Sequence, residues 1–222
     1  MGLIGTIGLL LPLAAATALS TVPLAVVTVI LLSRRGRGNG LAYLIGLTVG
    51  VFAVTFGLSL GIGAIPQSAG SPRSGLIVAG EILLGAALIA YGLIAFFRRP
   101  APTGRSGRWT RALDRTPMWS ALGVGLLMSL RPKALLLSAG AGVAIAKADL
   151  DLGTALIAVG IYTLVSVSTV AVPVIFTLAN PMRARRWLMS VKRFITQHGR
   201  VLSLVVGGLI GIVMIGDGLS RL

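Results

Sequence analysis

Residues 128–137 read Met-Ser-Leu-Arg-Pro-Lys-Ala-Leu-Leu-Leu. The stretch lies inside an apolar run from Met118 to Ala146. As a helix rising about 1.5 Å per residue, that run is long enough to cross the roughly 30 Å hydrocarbon core of a bilayer. Arg131 and Lys133 stand near its middle. A cation there costs about 2.5–3.5 kcal/mol on insertion scales, so two close together need a reason. Pro132 lies between them, lacks a backbone donor and clashes with the preceding turn, which predicts a kink or a break. Irregular backbone at that depth persists only where it is buried in protein or lines a cavity. Two cations flanking a helix-breaking proline therefore mark a candidate binding site in a membrane protein.

The rest of the chain agrees with a membrane setting. Of its 222 residues 55% are hydrophobic and 11% charged, with a mean hydropathy of +0.96. Soluble domains carry about 25% charged residues. At this length the chain reads as one transmembrane domain, residues 1–222, with no room for a soluble one. There is no cysteine, which excludes disulfides, thiol nucleophiles and cysteine-ligated metals. One histidine, His198, and five acids, of which only Asp149 and Asp151 are close in sequence, leave hydrolase chemistry and metal sites without residues. No catalytic residue, no cofactor and no metal ligand is assigned, and an enzyme is not expected.

Six apolar spans alternate with short connections, at about 3–32, 40–65, 74–97, 118–146, 152–179 and 201–219. The connections after spans one, three and five carry three, six and six Lys or Arg; the other connections and the two ends carry at most one each. The net charge of +15 thus reads as a topology signal with affinity for anionic headgroups, not as a nucleic-acid footprint. The basic connections are expected in the cytoplasm and both termini outside, in a multi-pass plasma-membrane protein. Trp109, Trp119 and Trp187 all fall at the expected inner interface. In span two, Gly46, Gly50, Gly57 and Gly61 share one helical face, a stripe that lets another helix approach. Asn39 is placed to cap that span. Residues 183–198 read as a basic amphipathic helix in the headgroup plane, with Trp187 and Leu188 on its apolar face.

An internal repeat organises the spans. Leu19-Ser-Thr-Val-Pro-Leu-Ala-Val26 and Met128-Ser-Leu-Arg-Pro-Lys-Ala-Leu135 both read apolar-Ser-x-x-Pro-x-Ala-apolar. Each lies in the first span of a three-span half: repeat 1 at about 1–100, repeat 2 at about 118–222, joined by the basic cytoplasmic connection at about 98–117. Three is odd, so the halves enter the membrane in opposite senses, as an inverted repeat. Transporters built this way bind near the midplane, between interrupted helices in corresponding positions. The expected fold is an all-α integral membrane protein of six transmembrane helices. They form two inverted three-helix repeats, with helices 1 and 4 interrupted at Pro23 and Pro132.

The Arg131-Pro-Lys-Ala-Leu-Leu-Leu137 run resembles the Asn-Pro-Lys motif of the lysine-exporter superfamily, and Leu19–Val26 resembles that superfamily's proline motif in the first span. The order of features is closer still to the GAP family, the glycolipid- or sulfolipid-addressing proteins. It includes Leu-Ser-Thr-Val-Pro, the segment from Arg34 to Leu41 with Asn39-Gly40, Trp109 with Leu113-Asp114-Arg115, and the Pro-Lys motif, and covers nearly all of the chain. The resemblance implies six spans and a role in moving cell-envelope lipids to or across the plasma membrane. Pro23, Pro132 and Lys133 match the family's motif positions. Two departures stand out: Arg131 replaces the superfamily's usual Asn, and Thr21-Val22-Pro23 replaces a more proline-rich form.

The expected substrate-binding residues are Arg131, Lys133, Ser129 and Ser20. Arginine offers a planar fork and lysine a mobile point charge to a sulfate, phosphate or carboxylate. A helix starting after the Pro132 break adds donors and a favourable dipole. Against that stands a structural role, with the cations capping free carbonyls or pairing with Glu81. Ser20, Ser129 and Thr17 are equally placed to bond back to such carbonyls. Tyr162, Ser166, Ser168 and Thr169 in span five suit interhelical bonding. Glu81, about five residues into span three, is a candidate counter-ion or proton-coupling carboxylate. The leading expectation is an alternating-access transporter of an envelope lipid or lipid-linked anionic group. The alternatives are an exporter of a small amino acid or ion, and a non-transporting accessory of a lipid-export or lipid-synthesis complex. Expected partners are membrane lipids with anionic headgroups, a lipid-export complex and further copies of the chain, with no nucleic acid.

Overall fold

The computed structural model describes residues 2–33, 35–63, 83, 86, 90, 94, 118–148, 150–180, 182–184 and 186–190. Among these residues the chain is helical, with no strand: α1 (Leu3–Ala18), α2 (Thr21–Leu31), α3 (Gly36–Gly63), α4 (Met118–Ser129), α5 (Pro132–Lys147) and α6 (Leu152–Ala179). Residues 182–184 and 186–190 are also helical. The third and sixth expected spans, the connection at 98–117 and Glu81 lie outside the described residues, save the helical and exposed Leu83, Ala86, Ala90 and Ile94.

Two helices are each long and apolar enough to cross a membrane, α3 and α6, at 28 residues apiece. At about 1.5 Å per residue each is about 42 Å long. Their outward faces are apolar as well as their inward ones: Ile45 and Val49 on α3, and Leu164, Val172 and Ile175 on α6, are exposed. A helix apolar on all sides belongs in a core or in lipid, and here the outer half has lipid as its solvent. The other two candidate spans are bent pairs. α1 and α2 meet at 49°, and α4 and α5 at 62°, each across a break of a few residues.

The breaks fall where the repeat places them, with one refinement. In the second pair Arg131 is extended (φ −68°, ψ 147°) and Pro132 is the first residue of α5. A residue before proline is pushed out of the α region, and a proline at the first helical position loses only an N–H that had no helical partner. In the first pair the extended residue is Ser20 (φ −71°, ψ 117°), three residues ahead of Pro23, which sits in the first turn of α2. Proline alone does not decide a break: Pro12 in α1 and Pro173 in α6 lie inside continuous helices.

α3 packs on α4, α5 and α6, and α1 packs on α5 and α6. Tyr43, Tyr162, Leu10, Ile30, Leu137 and Val159 fill the space between. Half of the glycine stripe explains how α4 is held. A Cβ on Gly46 would collide with the Leu122 carbonyl, and one on Gly125 of α4 with the Tyr43 carbonyl, so both backbones approach through missing side chains. Gly50 faces Ser129 in the same contact, whereas Gly57 and Gly61 have no neighbour within 4 Å. Asn39 is not a cap: α3 already begins at Gly36, and Asn39 lies buried in its first turn. The cap that does form is Asp151, whose carboxylate accepts from the Thr154 N–H at 3.1 Å and the Thr154 hydroxyl at 2.5 Å.

Candidate functional site

A helix break frees carbonyls that have no water to bond within the membrane. At the first break the Leu19 and Ser20 N–H groups meet the Ala15 and Thr17 carbonyls, and the last carbonyl is met from another helix. The Thr169 hydroxyl of α6 donates to the Ala18 carbonyl at the end of α1. The Tyr43 hydroxyl of α3 adds a 3.4 Å bond to the Pro23 carbonyl, inside the first turn of α2, and so ties the start of that helix to α3. Thr17 donates to Leu13 on its own helix at 3.0 Å and shares a 3.1 Å hydrogen bond with Tyr162 of α6. Ser20 takes the N-cap position of α2 and is buried, but its side chain makes no capping bond.

The second break is satisfied locally. The Ser129 hydroxyl donates to Leu126 at 2.7 Å, and Arg131 Nε donates to Met128 at 2.8 Å. Arg131 thus performs the carbonyl-capping role at the end of α4. Lys133, in the first turn of α5, does not. It is only 5% exposed, and its Nζ has no hydrogen-bond partner among the described residues. Arg131 is close enough to act electrostatically on both Lys133 and Tyr43.

A buried ammonium without an acceptor is costly, and a second cation beside it raises the cost. The N-terminus of α5, at the same place, adds further positive character. Every local term favours an anion at this spot.

The two breaks face each other across a small void. Its wall includes Ala18 and Pro23 from the first pair, Ser129 and Arg131 from the second, and Ser166 and Thr169 from α6. Lys133 and Ser20 do not line it. At about 10 Å³ the void holds about one water molecule and no headgroup, so the structure is closed here. Ser166 lies beside the Tyr162 hydroxyl, yet its own oxygen meets no hydrogen-bond geometry. Among the described residues no cluster of histidine or acidic side chains is placed to hold a metal ion.

The model of the family described as "Sap, sulfolipid-1-addressing protein" matches residues 10–220. The chain belongs to the SfLAP family. The match runs through both broken pairs, so the resemblance to the sulfolipid-addressing proteins holds along nearly the whole chain. No curated protein and no solved structure matches it.

Membership and the apolar helices together make it a membrane protein. Of the expected site residues, the structure brings Ser129, Arg131 and Pro23 to one void and buries Lys133 and Ser20 nearby on the same breaks. The interhelical role expected of span five holds for Tyr162 and Thr169, while Ser168 bonds only to its own helix at Val165, at 2.7 Å. Tyr43 escaped the sequence reading. The sole signal for it was a tyrosine in a glycine-rich span whose other hydroxyls are Thr48, Thr55 and Ser59. In the helical turns after α6, Ala184 and Leu188 are buried, Arg183 and Arg186 are exposed, and Trp187 packs edge-on against Phe176 at 5.7 Å. That is the amphipathic pattern expected for the start of the 183–198 segment.

Proposed function

We propose that this SfLAP-family protein carries the anionic headgroup of a cell-envelope lipid across the plasma membrane, using Lys133 as the primary headgroup ligand. The buried, acceptor-less Lys133 ammonium beside Arg131 is the observation that supports this most directly. An apolar replacement would remove the cost of an orphan charge, so its presence asks for a ligand that comes and goes. The family description supports a lipid as cargo, and a sulfated headgroup would suit the cations.

The architecture that goes with this reading is six spans in two inverted halves, with the broken pairs α1–α2 and α4–α5 as the matched first spans. The basic connections face the cytoplasm and both termini lie outside. In this scheme the void between the breaks is the closed form of the passage, and Lys133, which does not line it in this closed state, reaches it when the pairs part. Cargo enters when the pairs part, and α3, locked to α4 through Gly46 and Gly125, moves with the second pair. Movement of cargo needs no covalent chemistry, and we assign the protein no enzymatic step. Glu81 remains the proposed counter-ion or coupling carboxylate.

Reconstituted vesicles test the reading. Purified protein should move an anionic lipid between leaflets, with Lys133→Ala and Arg131→Ala present at equal abundance but inactive. Wild-type activity from both variants removes the site. Activity on amino acids instead of lipids moves the cargo to that class. No transport by the isolated chain, with a stoichiometric partner on purification, favours an accessory role.

A further inference from the structure

A second cavity wall lies away from the breaks. It is an open groove of about 1020 Å³ at one end of the bundle. The α2–α3 corner, the start of α4 and the helical turns after α6 meet there. Two chemistries share the wall. Arg35, Arg37 and Asn39, at and within the first turn of α3, form a polar side. Leu31, Met118 and Leu188 form an apolar one.

Asn39 gives the groove a ligand requirement. It is 3% exposed, and its amide Nδ2 has no hydrogen-bond partner among the described residues. A buried donor left unmade costs free energy and is rare in folded proteins. Asn39 lines the groove. The N-terminus of a 28-residue helix lies beside it, with N–H groups and a dipole that favour an anion. An ester oxyanion accepts from an amide N–H and from two guanidinium forks at once. A free anion would leave the apolar wall unused, whereas a lipid covers it with the first part of its acyl chain.

We propose that this groove is a second anion site, binding the phosphate or sulfate ester headgroup of a membrane lipid through Asn39, Arg35 and Arg37. It is separate from the Arg131–Lys133 break and does not depend on what that break carries. Headgroup selection is done by the polar side, and retention by Leu31, Met118 and Leu188. The groove exists only because three connections converge, so it responds to the spacing of α2, α4 and α6.

The test uses the purified full chain in neutral detergent and native mass spectrometry. It is titrated with short-chain phosphatidylglycerol, with phosphatidylcholine of the same chain length and with inorganic phosphate. One phosphatidylglycerol should be retained in preference to phosphatidylcholine. Asn39→Leu, which changes no charge, should weaken retention about tenfold. Arg35→Gln with Arg37→Gln should weaken it at least as much. Arg183→Gln with Arg186→Gln removes the same charge from an exposed surface nearby and should leave it unchanged. Equal retention of the two lipids overturns the site. So does an Asn39→Leu protein that binds as wild type, or an equal loss in the Arg183/Arg186 control. Inorganic phosphate binding as tightly as the lipid overturns the lipid assignment in favour of a soluble anion. Wild-type protein with a photoactivatable phosphatidylglycerol needs no variant. Cross-links at Met118 or Leu188 support the site, and cross-links confined elsewhere overturn it.

Discussion

The two helix breaks are alike in backbone and opposite in how they are held. At the α1–α2 break the Ala18 carbonyl is met from outside, by Thr169 on α6, and Tyr43 on α3 ties down the start of α2. At the α4–α5 break they are met from within, by Ser129 and Arg131 a few residues away. The first break is neutral, and its stability is borrowed from its neighbours. The second satisfies its own backbone, which leaves Lys133 as a charge with no structural duty among the described residues. One broken pair is therefore fixed in part by tertiary contacts, and the other leaves a buried cation over.

The sharpest way to break that comparison is to remove the orphan charge. Lys133→Met should abolish lipid movement and raise stability, by about 1–3 kcal/mol, because a buried ammonium is traded for an apolar chain of similar length. Thermal unfolding in detergent, alongside the vesicle assay, reads both effects. A Lys133→Met protein less stable than wild type would mean that the ammonium is satisfied after all.

Next in size is the glycine lock. Gly46→Ala puts a methyl against the Leu122 backbone and should cost about 1–3 kcal/mol, whereas Gly57→Ala, with open space around it, should be neutral or slightly stabilising. Equal effects at the two positions would show that α3 does not hold α4 through its glycines.

A smaller contrast separates borrowed from local satisfaction. Thr169→Val strips the donor from the Ala18 carbonyl and should cost about 1 kcal/mol. Ser129→Ala should cost less, about 0.5 kcal/mol, since Arg131 still caps the same helix end. The reverse order in unfolding measurements would invert the account of the two breaks.

The smallest effect lies outside the membrane. Hydrogen bonds from the Thr154 hydroxyl, and then from the Thr154 N–H, hold the Asp151 carboxyl below its usual range. The group is stabilised in its charged form in the folded state. Its contribution is therefore present above the unfolded value of about 3.9 and is lost as pH falls through the folded one. The melting temperature should drop as pH falls below about 4, and that drop should shrink in Asp151→Ala. An unchanged acid limb would remove the cap from the account.

Much of this was legible in the residues. The apolar runs, the basic connections and the Ser-x-x-Pro repeat announced membrane helices and two matched breaks, because hydropathy and proline chemistry act over a few residues. The sequence pointed equally well to Lys133, since a cation in an apolar run is visible without coordinates. The position of the first break was less legible. Pro23 pointed to it, but it falls at Ser20, where Thr169, on a helix distant in sequence, takes up part of the cost of opening the helix.

Asn39 shows the same limit from the other side. As an isolated residue after a basic turn it looked like a cap, but α3 starts three residues earlier and the residue lines a groove assembled from three connections. Likewise the glycine stripe is uniform in sequence, yet only Gly46 and Gly50 meet α4. By itself the sequence determined the medium, the places where helices weaken and the residues that carry charge, all of which follow from solvation and local backbone sterics. The tertiary structure decided which carbonyls were already satisfied, and hence which polar groups were left over: Arg131 became a cap, and Lys133 and Asn39 became donors without acceptors among the described residues. Hydrogen-bond satisfaction is a property of neighbours in space, and no spacing along the chain encodes it.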